Sequence, residues 1–213
     1  MEFAETRTIH TIAVVGLGYV GLPLALLAAD KGHTVYGLDI DQRKIDSLAA
    51  ETSYIDDVTD ASLAASKATF SNDFNLIAQS DTVIICVPTP VTDDKQPDLG
   101  PLKSAVSSIA PYLQKGTLVV VESTINPGVC DDIIIPLLES LTDKKVGSDI
   151  YVAHCPERVN PGDPTWNVSN INRVVGANTQ PELDMAVALY SKLIDAEIKP
   201  MSSLKEAEAV KIV

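Results

Sequence analysis

Positive charge is scarce in this sequence. Its 213 residues include 16 Lys and Arg against 29 Asp and Glu, which gives a formal net charge of −13 at pH 7. Nucleic acids and anionic membrane surfaces bind proteins through basic patches, so neither is expected as a partner. A phosphate ligand is still allowed, because backbone N–H groups at the start of a helix can hold a pyrophosphate without any lysine.

Cysteine and histidine are also few. The three cysteines, Cys86, Cys130 and Cys155, form neither a CxxC pair nor a cluster with histidine. An odd number of thiols without metal-ligand spacing excludes the usual disulfide scaffold and structural zinc site. We therefore predict no metal site and a cytoplasmic, reducing compartment.

Aromatic residues make up only 5% of the chain, although 46% of it is hydrophobic, mostly Ile, Val, Leu and Ala. This composition suits a parallel sheet that helices cover on both faces. One uncharged run, 11–29, has the length of a membrane span, but three glycines and Pro23 interrupt it. Glu2 and Glu5 precede it, unlike the basic start of a signal peptide. We predict a strand, a glycine turn and a buried helix there, and no membrane association.

Apolar runs of strand length alternate with segments of helical length. The predicted strands are 12–15, 34–38, 69–70, 82–87, 117–121, 150–153, 173–176 and 197–200. The predicted helices are 19–31, 41–50, 72–79, 99–113, 126–141 and 181–193, with a loop and a short helix in 51–66. Strands separated by helices imply right-handed crossovers, so the pattern predicts an α/β fold, a doubly wound and mostly parallel sheet of Rossmann type, over residues 1–200.

The last residues predict the start of another helix. Ser202 or Ser203 can cap a segment of strong helix formers that begins at Leu204, and no helix stop signal precedes Val213. We interpret 201–213 as the start of a long linking helix, and the chain as a fragment that lacks a later domain.

The first predicted strand runs into the motif GLGYVG, which opens the first predicted helix. In a dinucleotide-binding turn the first glycine, here Gly16, permits the tight turn. Gly18 lets a pyrophosphate approach the backbone, and Gly21 lets helix and strand pack closely. The backbone of this turn, including Tyr19 and Val20, is the predicted cofactor cradle.

Asp39 lies 18 residues after Gly21, at the end of the second predicted strand. A carboxylate there accepts hydrogen bonds from the adenosine ribose and repels a 2′-phosphate, so NAD is predicted rather than NADP. The alternative is an ordinary glycine turn followed by an ordinary strand-end acid. Lys44 either reaches the same ribose or is a solvated helix lysine.

Three further segments follow predicted strands at the edge where such sheets bind ligands. They are VPTP from Val87, ESTINPG from Glu122 and CPERVNPG from Cys155. Together with GLGYVGLPLA, they make the chain resemble the UDP-glucose/GDP-mannose dehydrogenase family over almost its whole length. Members of that family oxidise the sugar C6 hydroxyl to a carboxylate in two NAD-dependent steps, through a thiohemiacetal and a thioester on a cysteine.

The resemblance assigns roles to individual residues. It implies that Thr89 and Thr124 contact the cofactor or the water near the reacting carbon. Pro88, beside Thr89, is also expected to bind the cofactor. It implies that Glu157 takes part in thioester hydrolysis and that Lys211 stabilises oxyanion charge or assists proton transfer. Without the resemblance, Thr124 is equally a helix cap, Glu157 a loop carboxylate and Lys211 a solvated lysine.

The resemblance also narrows the substrate. UDP-glucose dehydrogenases usually place Phe after the Pro-Glu pair, whereas this chain has Arg158, which either binds sugar or phosphate oxygens or pairs with a surface acid. The segments AHCPERV and KQPDL resemble the branch that acts on UDP-N-acetylhexosamines, especially UDP-N-acetyl-D-mannosamine. UDP-N-acetylglucosamine and UDP-glucose stay open as substrates.

Two functions of other kinds stay open: a two-electron hydroxyacid or hydroxyacyl dehydrogenase, and a non-catalytic NAD-binding sensor or scaffold domain. The family's nucleophilic cysteine lies beyond the matched lysine, so the chain alone is expected to bind NAD without turnover. Family members commonly dimerise through the long helix, which predicts a homodimer for the complete protein.

Overall fold

A computed structural model describes residues 11–158 and 167–211 of the chain. Eight strands form one sheet in the spatial order β3-β2-β1-β4-β5-β6-β7-β8. The strands are β1 (Thr11–Val15), β2 (Thr34–Leu38), β3 (Thr69–Ser71), β4 (Thr82–Ile85), β5 (Leu118–Val121), β6 (Tyr151–His154), β7 (Arg173–Ala177) and β8 (Ile198–Met201). All eight correspond to predicted strands, and the predicted fold class is confirmed.

Helices connect most of these strands. They are α1 (Gly21–Asp30), α2 (Gln42–Ala49), α3 (Asp60–Ala65), α4 (Gly100–Ile109), α5 (Ile135–Leu141), α6 (Gln180–Leu193) and α7 (Leu204–Val210). Asp41 caps α2 through its side chain, which accepts the N–H of Arg43 at 3.0 Å.

Strand direction changes once in the sheet. β1 to β6 are mutually parallel, β7 pairs antiparallel with β6, and β8 is parallel to β7. The first residues of β7 therefore lie at the same edge as the carboxyl ends of β1 to β6. This reversal brings Arg173, the first residue of β7, to the edge where ligands bind in such sheets.

Alternate residues of the strands pack into two layers. Ile12 and Val14 belong to the layer that α1 and α6 cover, whereas Ala13 and Val15 belong to the layer covered by α4 and α5. Because side chains alternate across a strand, a sheet covered on both faces needs apolar residues at successive positions, as β1 has.

The helix predicted at 126–141 starts later and in another form. Residues Cys130–Ile134 form a π-helix, and α5 follows it. Pro136 has no N–H to donate to the carbonyl four residues earlier, so regular α-helical bonding cannot run through this position. The segment predicted at 99–113 is likewise divided, into α4 and a 3₁₀ helix (Ala110–Tyr112) that contains Pro111.

The other predicted helix that changes type is 72–79, where a 3₁₀ helix spans Phe74–Gln79. The uncharged run 11–29 forms β1, a turn and part of α1, as predicted. Within 11–158 and 167–211, no helix has the length and apolar character that crossing a bilayer requires.

Candidate functional site

A cleft of about 640 Å³ opens at the carboxyl edge of β1, β2, β4 and β5. Most of the residues singled out in the sequence line it: Gly16, Gly18, Tyr19, Val20, Asp39, Lys44, Pro88, Thr89, Thr124 and Glu157. Segments more than a hundred residues apart in the chain thus share one cavity. One end of the cleft is formed by the glycine turn, and the other lies at Glu157.

The glycine end is formed by the turn between β1 and α1. Gly16 has a φ of +93°, and a Cβ at this position would lie 2.9 Å from the carbonyl oxygen of Cys86. A Cβ on Gly21 would overlap the carbonyl oxygen of Gly16. Both positions therefore require glycine for the protein's own packing.

Gly18 differs from these two. A Cβ built there would meet no protein atom within 4 Å, and the residue lines the cleft. The first turn of α1 contains no acidic residue, so the positive end of the helix dipole faces no carboxylate of its own. Open space above Gly18 and an uncompensated helix start fit the pyrophosphate of a dinucleotide.

Asp39 is held by three donors at the end of β2. Its Oδ2 accepts the N–H of Leu17 at 2.8 Å and faces Lys44 Nζ at 2.7 Å, while its Oδ1 accepts the N–H of Asp41 at 2.9 Å. The carboxylate is buried and the lysine is about two-thirds buried. Lys44 is therefore paired with Asp39 and is not a solvated helix lysine.

The wall near Asp39 includes exposed apolar surface. The side chains of Tyr19 and Ile40 line the cleft and are 55% and 78% exposed. Tyr54 donates its hydroxyl to the carbonyl of Leu17 at 2.7 Å and so stabilises the turn between β1 and α1. Burial, with the nearby carboxylates of Asp39 and Asp41, raises the pKa of Tyr54 and keeps it a hydrogen-bond donor.

The loops that follow β4 and β5 are tied together. Thr89 donates its hydroxyl to the carbonyl of Thr124 at 2.6 Å, and Ser123 donates to the carbonyl of Val87 at 2.7 Å. The two threonines named by the resemblance therefore lie side by side. Thr124 is not a helix cap, because the next helix begins only at Cys130.

A carboxylate from α7 takes the capping role at that helix. Glu208 is fully buried, and its oxygens accept the N–H of Gly128 at 2.5 Å and of Cys130 at 2.9 Å. A Cβ on Gly176 of β7 would overlap the carbonyl of Ser203, so α7 lies directly on the sheet. These contacts fix where the residues at the end of α7 lie.

Lys211, just after α7, reaches the opposite end of the cleft. Its Nζ donates to the main-chain carbonyl of Glu157. Burial lowers the pKa of Lys211, an effect that the Glu157 carboxylate opposes. Glu157 Oε1 accepts the N–H of Arg158 at 2.6 Å, and the Arg158 side chain is exposed. Residues 159–162 of the CPERVNPG segment lie outside the described residues.

A buried ionic cluster, which we call the acid corner, lies beneath Glu157. It consists of Glu122, Glu157, Arg173 and Tyr190. Arg173 Nη1 contacts Glu157 Oε2 and lies 3.6 Å from Glu122 Oε2, and Tyr190 donates its hydroxyl to Glu122 Oε1. The Arg173 and Glu122 side chains have no solvent exposure, and that of Glu157 has 7%.

Burial and charge act against each other in the acid corner. Burial raises the pKa of Glu122 above its usual range, and the Arg173 guanidinium opposes this. Burial acts to lower the pKa of Arg173, but the carboxylates of Glu122 and Glu157 outweigh it and the pKa is raised. Arg173 therefore stays charged and requires anionic partners.

Sequence reasoning assigned no role to Glu122, Arg173, Tyr190 or Glu208. One signal was available: Arg173 stands at the start of an otherwise apolar strand, and a charge in such a strand needs a buried partner. The identity of that partner depends on the antiparallel pairing of β7, which no local pattern encodes. Glu208 stood within the helix-forming segment and showed no separate signal.

Comparison with known proteins connects this geometry to a family. Residues 10–194 match the model described as the NAD binding domain of the UDP-glucose/GDP-mannose dehydrogenase family. A UDP-N-acetyl-D-glucosamine 6-dehydrogenase of Pseudomonas aeruginosa is 39% identical over 95% of this chain and 48% of its own length. A UDP-N-acetyl-D-mannosamine dehydrogenase of Methanocaldococcus jannaschii is 39% identical over 94% of this chain and 46% of its own length.

An experimental structure of a dehydrogenase is also similar to this chain. The UDP-D-ManNAc dehydrogenase of Pyrococcus horikoshii superposes with a TM-score of 0.88 at 35% identity, over 95% of this chain and 49% of that one. The chain thus spans about half the length of the relatives it matches.

Proposed function

Because the chain belongs to the UDP-glucose/GDP-mannose dehydrogenase family, as its NAD-binding domain, we propose that it forms the cofactor-binding half of a nucleotide-sugar 6-dehydrogenase. The complete protein would oxidise the C6 hydroxyl of a UDP-N-acetylhexosamine to the uronate, with two NAD reduced per sugar. In this proposal residues 1–200 are the NAD-binding domain, 201–213 begin a linking helix, and a later domain binds the nucleotide sugar.

One observation carries the proposal: the glycine end and the Glu157 end belong to a single cleft. A dinucleotide whose pyrophosphate lies at Gly18 and whose ribose meets Asp39 leaves its other half to extend toward Thr89, Thr124 and Glu157. NAD supplies the hydride acceptor for both oxidation steps.

The chain's own residues would handle protons at that end. We assign to Glu157 the activation of water during thioester hydrolysis, and to Lys211 the stabilisation of oxyanion charge or proton transfer. The lowered pKa of Lys211 favours this, because an ammonium that is easier to deprotonate exchanges protons more readily near neutral pH. Thr89 and Thr124, joined by their hydrogen bond, would orient the cofactor or the water.

The substrate is assigned to the UDP-N-acetylhexosamines, with UDP-N-acetyl-D-mannosamine first. Arg158, next to Glu157 in the sequence, supports this, since its side chain is exposed and a guanidinium binds sugar or phosphate oxygens. Relatives named for the glucosamine and mannosamine substrates are equally similar, so UDP-N-acetylglucosamine is the direct alternative. UDP-glucose is the next.

The covalent step needs a thiol outside this chain. Cys86, Cys130 and Cys155 are all buried, and burial raises their pKa well above the range of a reactive thiolate. The chain alone would therefore bind NAD without turnover. Three unpaired thiols suit the cytoplasm, and we propose a homodimer for the complete protein.

The test is NADH release by the complete gene product against a panel of UDP-sugars. We expect two NADH per UDP-N-acetylmannosamine consumed, and a strong loss of turnover in Glu157→Gln with the Michaelis constant for NAD nearly unchanged. One NADH per sugar would contradict the thioester route and favour a two-electron dehydrogenase. NAD binding without NADH release on any UDP-sugar would favour a non-catalytic sensor.

A further inference from the structure

We propose that Arg173 is the positioning residue of this site: it holds the Glu157 carboxylate in a fixed orientation at the end of the cleft. The role of Glu157 rests on the proposed function, whereas the ionic contact itself does not. Arg173 lines no part of the cleft and would act only through Glu157.

The sheet topology places Arg173 against Glu157. In the antiparallel pairing of β6 and β7, Ala153 lies opposite Ala177 and His154 opposite Gly176. Continued along both strands, this register puts Arg173 opposite Glu157. A parallel β7 would have carried the guanidinium to the other edge of the sheet.

Both oxygens of the Glu157 carboxylate are engaged. Oε2 contacts Arg173 Nη1, and Oε1 accepts the N–H of Arg158 at 2.6 Å. A carboxylate held at two points keeps one orientation, which is what a group that activates a water molecule needs. Arg173 cannot lose its proton, so this contact is present at every working pH.

Glu122 and Tyr190, the other two members of the acid corner, also act on Arg173. Glu122 faces Arg173 through Oε2 at 3.6 Å, while Tyr190 donates to Glu122 Oε1. Tyr190 thereby orients Glu122 toward the guanidinium. Arg173 thus lies between two acidic side chains, which hold it in place.

A merely structural role is the competing explanation, since a buried cation must be neutralised wherever it lies. Double substitutions first show which carboxylate depends on Arg173, and kcat then separates the two roles. In the unaltered chain we expect Arg173→Lys to lower the urea midpoint clearly. In a Glu157→Gln background the same change should lower it much less, and in a Glu122→Gln background nearly as much as in the unaltered chain. Equal losses in all three backgrounds would overturn the proposal.

Activity of the complete protein supplies the second test. Arg173→Lys should reduce kcat at least tenfold and leave the Michaelis constant for NAD within about twofold, because a displaced Glu157 affects the reaction and not the binding of the cofactor. In a Glu157→Gln background the change should have little further effect. A loss of NAD affinity with kcat unchanged would overturn the proposal.

Two more variants keep the result interpretable. If Arg173→Lys fails to fold, Tyr190→Phe takes its place, because it removes only a hydroxyl. Tyr190→Phe should also lower kcat, by a smaller factor. Lys115→Met breaks the exposed pair with Asp149 and is the matched control, with no change expected in midpoint or kcat. If no UDP-sugar is oxidised, the proposed function fails, and the stability comparison still decides whether Arg173 acts on Glu157.

Discussion

The two ends of the cleft are built in different ways. The glycine end consists of backbone from one short stretch, residues 16–21, with Asp39 and Lys44 beside it. The acid corner consists of side chains from β7, α6 and the loops after β5 and β6, brought together by the sheet topology. Shape dominates at the first end, whereas charge dominates at the second. Substitutions at the two ends should therefore fail in different ways.

The largest effect is expected in the acid corner. Arg173→Met leaves two buried carboxylates without their cation, and breaking a buried ionic contact in this way costs about 3–5 kcal/mol. Urea unfolding of the chain measures it. An unaltered midpoint would mean that the two carboxylates are protonated or solvated in the native protein. Charge would then not distinguish the acid corner from the glycine end.

His154, on β6 beside the acid corner, should make stability depend on pH. Burial lowers its pKa from 6.5 to about 4, and the nearby backbone of Val121 opposes this only in part. Unfolding therefore takes up a proton between these values, and stability that is present above pH 6.5 is lost as the pH falls toward 4. By linkage the loss is about 3 kcal/mol.

Urea midpoints between pH 7 and pH 4 test this, with His154→Gln as the variant that cannot titrate in that range. We expect the difference between the two proteins to shrink as the pH falls. Parallel pH profiles would show that His154 does not contribute to the acid sensitivity of the fold.

At the glycine end, two alanine substitutions should have opposite signatures. Gly21→Ala places a Cβ against the Gly16 carbonyl, and such overpacking costs about 1–3 kcal/mol of stability and displaces the turn. Gly18→Ala meets no protein atom, so it should fold normally and yet lose NAD affinity. Calorimetric titration with thermal unfolding distinguishes them. Retention of NAD binding by Gly18→Ala would show that the ligand does not pass over this glycine.

The smallest effect is expected at Asp39. Asp39→Asn removes the charge beside Lys44 and a hydrogen-bond partner of the ribose, so NAD should bind about tenfold more weakly, which corresponds to about 1.4 kcal/mol. NADP should lose less, or gain, because Lys44 is released. Lys44→Met in the same background is the control, and it should remove any gain for NADP.

The sequence predicted the glycine end more completely than the acid corner, for a physical reason. The turn at Gly16, the close approach at Gly21 and the acid at the end of β2 are local features, and each leaves a local signature. The lengths and order of the strands were likewise readable, because each buried strand is an uninterrupted apolar run.

The acid corner depends on which strands become neighbours and in which direction. Glu122 and Arg173 are 51 positions apart in the sequence, and they meet because β7 runs against β6. The π-helix at Cys130–Ile134 was not predicted either, although Pro136, which lacks the N–H for regular α-helical bonding, is visible in the sequence. Glu208, which caps that segment from α7, is likewise a long-range contact.

Titration of the unaltered chain with NAD and with NADP, at the same ionic strength, tests the central claim most directly. Backbone at Gly16–Gly21 and the carboxylate of Asp39 should give saturable one-to-one binding of NAD and at least tenfold weaker binding of NADP. Equal affinity for the two dinucleotides would contradict the role of Asp39, and no binding of either would contradict the assignment of the cleft itself.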